Sequence, residues 1–183
     1  MFILIRYLIL FLQRPWRHRH PPLEAINASY RVMPWDCDLN FHLTNAKYPA
    51  LLDLTRVRYF LAIGMMPLMT KQRWGVVVSS QTITYIREIK PFKKMTTEVK
   101  VIHWDRKYLY TEDRFLVDGK IHAKAITRLA FLKSGRVASF NRLLQAIDDH
   151  YGNEKQQWQS PPLGRQTIAK IELLEAQRAA ETP

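Results

Sequence analysis

The sequence predicts an α+β fold, one antiparallel sheet with a single long helix laid across it. Residues 46–63 carry apolar side chains at helical spacing. Between residues 76 and 133 the period changes to two, in four runs rich in β-branched and aromatic residues. Asp105-Arg106 and Asp118-Gly119 separate the later runs so closely that only antiparallel hairpins can join them. A strand, a loop, a long helix and then four strands bury their apolar faces most simply as one sheet under one helix.

The chain has 183 residues, 47% of them hydrophobic, with 8 Tyr, 8 Phe and 5 Trp. That is material for one cored domain with appendages, and it excludes wholesale disorder. The single cysteine, Cys37, excludes an intramolecular disulfide framework and a cysteine-based zinc cluster. Of the net charge of +12, residues 1–140 carry +13 and residues 141–183 carry −1. A basic body favours anionic partners without choosing among nucleic acid, acidic lipid and phosphorylated small molecules. The basic residues are scattered, with no nucleic-acid motif interleaved with aromatics, so nucleic acid is not the expected partner.

Residues 1–12 hold one charge, Arg6, in an otherwise uncharged run. A spanning helix needs about 20 apolar residues, and the order of a secretory signal is missing. Arg14, Arg17, His18, Arg19 and His20 follow around Trp16. Residues 1–20 therefore read as a short peripheral membrane anchor on the cytoplasmic face, or as a helix packed on the protein's own body. Pro21-Pro22 ends any helix and marks a boundary, giving a leader at 1–22, a folded domain at 23–150, and a linker with a C-terminal helix at 151–183.

Within the domain, residues 28–33 form a strand and 34–44 an irregular polar stretch. Thr44 or Asn45 caps the long helix, Pro49 falls in its first turn, Leu51, Leu54 and Leu61 supply its apolar face, and Gly64 and Pro67 stop it. The four strands are 76–87, 96–104, 107–117 and 120–133; Ile121, Ala123, Ala125, Thr127, Leu129 and Phe131 share one face of the last. Residues 140–150 and 167–180 are helical, the latter with Ile168, Ile171 and Leu174 on one stripe. One helix covers one face of the sheet. The other falls to a partner or the terminal segments, so a dimer is expected.

The densest polar cluster runs from Trp35 to Asn45, just before the long helix. The first turn of a helix presents unpaired N–H groups that can hold an oxyanion, and a nearby carboxylate can activate water or attack directly. His42 fits acid–base work and Asn45 fits orientation of a water or carbonyl. Taken singly, Asp36 reads as a turn residue, His42 as structural and Asn45 as a cap. Asp38 and His42 lack a third ligand by spacing, so no metal is expected. Asp53, further along the helix, either pairs with Arg56 or faces the site. Ser79-Ser80 reads as strand surface, with no nucleophile-elbow pattern.

Asp36-x-Asp38-x-Asn40-x-His42-x-x-Asn45-x-x-Tyr48 followed by a long helix resembles the signature of hot-dog-fold acyl thioesterases, in particular the 4-hydroxybenzoyl-CoA thioesterase-like branch. The likeness covers residues 26–135, including Tyr85 to Pro91. It implies an antiparallel sheet wrapped around a long central helix, here with N- and C-terminal helical appendages. It also implies a homodimer joined edge to edge, with sites between subunits and further association to tetramers in many members. The implied activity is hydrolysis of an acyl-CoA, of fatty type, with no cofactor beyond the coenzyme A of the substrate. The catalytic aspartate falls on Asp38, as general base or nucleophile, with His42 and Asn45 beside it and the backbone of Asn45 and Ala46 polarising the carbonyl. Tyr48 corresponds to a tyrosine at the site entrance and Asp53 to an acid on the central helix; Arg87, Lys90, Lys93 and Lys94 are contacts for coenzyme A phosphates. Where the carrier-protein branch has paired asparagines this chain has Thr44 before Asn45. A carrier-protein thioesterase and a non-catalytic, membrane-associated thioester binder are the alternatives.

Overall fold

The computed structural model describes residues 2–12, 20–154 and 157–181; the basic run at 14–19 lies outside them. In chain order the elements are α1 (Phe2–Leu12), β1 (Ile26–Arg31), a 3-10 turn (Pro34–Asp36), α2 (Lys47–Ala62), α3 (Met66–Lys71), β2 (Trp74–Tyr85), β3 (Lys94–Trp104), β4 (Tyr108–Val117), β5 (Lys120–Lys133), β6 (Arg136–Ala138), α4 (Phe140–Tyr151) and α5 (Arg165–Glu181). All strand pairings are antiparallel in the order β1-β3-β4-β5-β2, with β6 also paired to β5. The sheet and helix thus follow the expected arrangement. Two small elements had no expectation behind them. Pro67 does not simply end the long helix but stands in the first turn of α3, where its missing N–H costs nothing. Ser134 and Gly135, both at positive φ, turn the chain back so that β6 continues the edge of β5 beyond Tyr108, where β4 starts.

α2 packs its buried side on one face of the sheet, and the core between them is divided. One apolar cluster joins Tyr59 and Phe60 of α2 and Ile63 just after it to Val99, Val101, Leu109, Leu129, Phe131 and the α4 residues Phe140 and Leu144. A second joins Tyr48, Leu51, Leu52 and Leu54 to Met95, Phe115, Val117, Ala123 and Ala125. Between them crosses a polar band from the same elements: Thr55 and Arg56 of α2, Thr97 of β3, Thr111 and Asp113 of β4 and Thr127 of β5, all buried. Because the strand period is two, polar residues at inward positions of neighbouring strands meet across the sheet: Thr111 stands opposite Thr127, and Asp113 lies one inward step along β4 from that pair.

α2 ends at Gly64, whose φ of +85° lies in the left-handed region and whose absent side chain admits Tyr151 of α4; a Cβ would stand 2.7 Å from that ring. The opposite face of the sheet is covered in part by the C-terminal segment. Thr167, Lys170 and Leu174 are buried along one side of α5, and the Lys170 ammonium donates to the Thr82 hydroxyl of β2. Residues 157–164 are irregular yet anchored: Ser160 Oγ accepts from the Trp104 N–H at 2.8 Å, and Trp158 donates to Asp148 at 2.8 Å.

Candidate active site

The segment between β1 and α2 is a clasp. Cys37 and Leu43 form an isolated antiparallel bridge, and the Thr44 N–H donates to the Asp36 carbonyl at 3.0 Å. Its tip is closed by the Asp38 N–H on the His42 carbonyl (3.0 Å) and the Phe41 N–H on the Asp38 carbonyl (3.1 Å). So tight a turn forces Phe41 to φ +56°, uncommon for a bulky residue, although the ring itself is exposed.

The two aspartates of the clasp do different things. Asp36 is 2% exposed. Its Oδ2 accepts from the Met33 N–H at 3.1 Å and from Arg6 of α1 at 2.6 Å, and its Oδ1 lies 3.5 Å from Lys47 Nζ. It is a buried structural anion that ties α1, the clasp and the start of α2 together, in agreement with its reading as a turn residue. Asp38 sits at the tip with its side chain 33% exposed, accepting the Asn40 N–H at 2.9 Å and facing His42 Nδ1 at 3.4 Å. Asp38 and His42 are therefore brought together within reach of solvent.

Thr44 and Asn45 do not cap α2 through their side chains, contrary to expectation; Ala46 holds the cap position in helical geometry. The backbone does the work instead, the Lys47 N–H donating to the Thr44 carbonyl and the Tyr48 N–H to the Asn45 carbonyl. Among the described residues no acceptor pairs with the N–H of Asn45 or Ala46, and both residues are exposed. Tyr48 is buried in the second apolar cluster, edge-on to Tyr85 (4.9 Å) and Phe115 (4.8 Å). Burial, with Tyr85 adding to it, pushes its hydroxyl up to about 12. Asp53 resolves as the partner of Arg56, at 2.7 Å.

The Leu43 N–H donates to the Ile89 carbonyl at 2.8 Å and so fastens the clasp to the segment after β2. On that segment Arg87, Lys90 and Lys93 line an open pocket of about 370 Å³ with Lys120 and His122. Lys94, the first residue of β3, is exposed beside it and paired in register with Arg31. A second cavity of about 370 Å³ is almost wholly apolar, formed by Val57, Phe60 and Leu61 of α2, Met66 and Met69 of α3, and β2 and β5 residues, with Tyr7, Asp53 and Arg56 at its wall.

The buried polar band was not anticipated. Thr127 donates to Asp113 Oδ2 at 2.7 Å, Gln81 donates to Thr127 at 3.1 Å, and the Thr55 and Thr97 hydroxyls meet at 2.5 Å. Its signal lay in the strands themselves: Thr97, Asp113 and Thr127 occupy inward positions that alternation reserves for apolar residues.

Comparison with known proteins places this architecture. Over 70% of this chain and 96% of the other, the fold superposes with TM-score 0.58 and 25% identity on a thioesterase from Thermus thermophilus complexed with coenzyme A and zinc. A Staphylococcus aureus protein in complex with coenzyme A matches with TM-score 0.62 at 14% identity, over 77% of this chain and 93% of that one. The fold is the hot-dog fold. The thioesterase-like superfamily matches residues 32–152, and the chain belongs to it. A relative from Saccharomyces cerevisiae, described as a probable thioesterase, is 30% identical over 105 residues, 56% of this chain and 46% of that protein. The chain spans about half the length of the curated relatives it matches.

Proposed function

We propose that the protein hydrolyses an acyl-CoA thioester of fatty type to the free acid and coenzyme A. The observation that carries this is Asp38, a solvent-reachable carboxylate held beside His42 on a clasp that leads directly into the start of α2. In one course Asp38 accepts a proton from water as its oxygen attacks the thioester carbonyl. In the other the carboxylate attacks, forming an anhydride that water then opens. In both, the carbonyl oxygen takes negative charge as the tetrahedral species forms, and the free N–H groups of Asn45 and Ala46 receive it. The C–S bond then breaks and the thiolate takes up a proton.

The basic pocket of Arg87, Lys90 and Lys93 suits the phosphates of coenzyme A, with Lys94 at its border. The bound coenzyme A of the Thermus relative supports that class of substrate. The apolar cavity beside α2 suits an acyl chain. Its wall begins at Asp53, about 10 Å along the helix from Ala46 at 1.5 Å per residue, a span within reach of a fatty chain. A homodimer fits the open edge of β2, and a peripheral membrane contact fits residues 1–20.

The deciding experiment is a thiol-release assay over short, medium, long and aromatic acyl-CoAs, with Asp38→Asn beside the wild type. Turnover that disappears in D38N while coenzyme A binding and folding persist supports the reading. Equal turnover in both proteins refutes the role of Asp38. Turnover only with acyl-carrier-protein substrates moves the assignment to that class.

A further inference from the structure

α1 has two faces of different character. Leu4, Ile5, Leu8, Ile9 and Leu12 lie within an arc of about 140° at 100° per residue. They face outward, with Leu4 67%, Leu8 59% and Leu12 71% exposed. No helix among the described residues is long and apolar enough to cross a membrane. A stripe of large aliphatic side chains this exposed is costly in water and asks for a covering surface. The opposite face is committed to the body. Leu10 is buried, Arg6 donates to Asp36 at 2.6 Å and to the Arg31 carbonyl at 3.3 Å, and Tyr7 forms part of the wall of the apolar cavity with Asp53 and Arg56.

The chain supplies the charge that selects the covering surface. Arg14, Arg17 and Arg19 follow the helix directly in sequence, in a body of strongly positive charge. An apolar stripe of about two and a half turns binds a bilayer weakly by itself, and adjacent cations add the second attraction when the lipid is acidic. Trp35, Leu39 and Phe41, on and beside the same clasp that Arg6 holds, are exposed as well.

We propose that α1 docks on an acidic lipid bilayer through its Leu4–Leu12 stripe while Arg6 and Tyr7 on its inner face hold the catalytic clasp and the cavity wall. Bilayer contact is thereby coupled to the site, and an acyl chain moves between membrane and cavity without crossing bulk water. The coupling rests on the thioesterase reading; the docking does not. The substrate class this favours is a long-chain acyl thioester already partitioned into the membrane.

The test uses the full chain and two kinds of vesicle, phosphatidylcholine alone and phosphatidylcholine with about 30% phosphatidylglycerol. The wild type should co-sediment with the acidic vesicles, and Leu4→Glu/Leu8→Glu should lower the bound fraction at least about tenfold. Both substitutions lie at exposed positions, so thermal unfolding should be unchanged and report an intact fold. On saturating vesicle binding, hydrogen exchange of the wild-type amides at 36–45 should slow. In Arg6→Gln the slowing should vanish while vesicle binding remains. Equal co-sedimentation of L4E/L8E and wild type overturns the docking. So does a fall in oligomeric mass of L4E/L8E without vesicle binding by the wild type, which would assign the stripe to a second copy of the chain. Exchange at 36–45 that ignores bound vesicles overturns the coupling. Absence of thiol release from every substrate, with vesicle binding intact, counts against the thioesterase reading and leaves docking standing.

Discussion

The Thr127 hydroxyl donates to Asp113 Oδ2 at 2.7 Å in the middle of the sheet, where both residues are fully buried beneath α2. Arg56 supplies the countercharge from the helix, and the pair stands between two apolar clusters. Burial nevertheless dominates and pushes the Asp113 carboxyl from 3.8 up to about 6; Arg56 and the Thr127 and Thr111 hydroxyls pull it back only in part. The folded protein then binds a proton here more tightly than the unfolded chain does. This group therefore costs stability above pH 6, and the cost is relieved as pH falls from about 6 towards 4. A shift of this size corresponds to about 3 kcal/mol. Asp113→Asn should flatten the dependence of unfolding free energy on pH across that window. Urea titrations at several pH values measure it, and parallel curves for the two proteins would contradict the assignment.

Asp36 and Asp38 are two residues apart and should separate stability from chemistry. Replacing Asp36 with Asn leaves Arg6 and the Met33 N–H facing a neutral group inside the protein, at an expected cost of about 2–4 kcal/mol. Asp38→Asn, at a site one-third exposed, should cost under about 1 kcal/mol yet lower turnover at least about 100-fold. Denaturation curves and thiol release on the same two variants check both halves. Equal loss of activity in the two, with stability unchanged, would remove the distinction.

How much of this was legible in the sequence depends on whether a residue's surroundings are local. The strands, the hairpin at Asp118-Gly119 and the long helix follow from side-chain period and turn chemistry within a few residues, and they appear where expected. Asp38 beside His42 was legible for the same reason, being one turn of chain. The expected cap by Thr44 or Asn45 fails because Ala46 itself holds the cap position in helical geometry, so the amide oxygen stands one residue too early and the hydroxyl two. The fate of Asp36 depended on Arg6, 30 residues away, and the pairing of Thr127 with Asp113 on strand register. Neither follows from local spacing. The sequence leaves the second face of the sheet to a partner or the terminal segments; the contact of Lys170 with Thr82, across 88 positions of sequence, is not legible from local spacing.

The basic pocket should hold the nucleotide phosphates of the substrate rather than its acyl end. Lys90 and Lys93 are exposed, with weak partners in Glu88 (3.3 Å) and Asp118 (3.5 Å). Exchanging such partners for a phosphate costs little, because exposed ion pairs contribute about 0–1 kcal/mol. Lys90→Glu/Lys93→Glu should raise KM for an acyl-CoA about tenfold or more with kcat little changed. The same acyl group on pantetheine, which lacks the nucleotide phosphates, should show no such change. A common rise in KM for both thioesters would place the phosphates elsewhere.

β2 pairs with β5 on one side and, among the described residues, ends the sheet on the other. Twelve residues long, with Val77, Val78 and Tyr85 about half exposed, it is an edge that no strand among the described residues covers, of the kind proteins normally cover or charge. Antiparallel pairing of two such edges would satisfy their free N–H and C=O groups and bury the valines. Light scattering should therefore give twice the chain mass of 21.7 kDa. Val77→Lys/Val78→Lys should return the protein to a monomer, since charge on an edge strand opposes pairing. Val78 also lines the apolar cavity, so catalysis should fall with the dimer. To separate the two effects, Val78→Ala enlarges the cavity without adding charge, and it should change acyl-chain preference while leaving the mass doubled. A V77K/V78K protein that remains dimeric would mean that subunits meet through another surface.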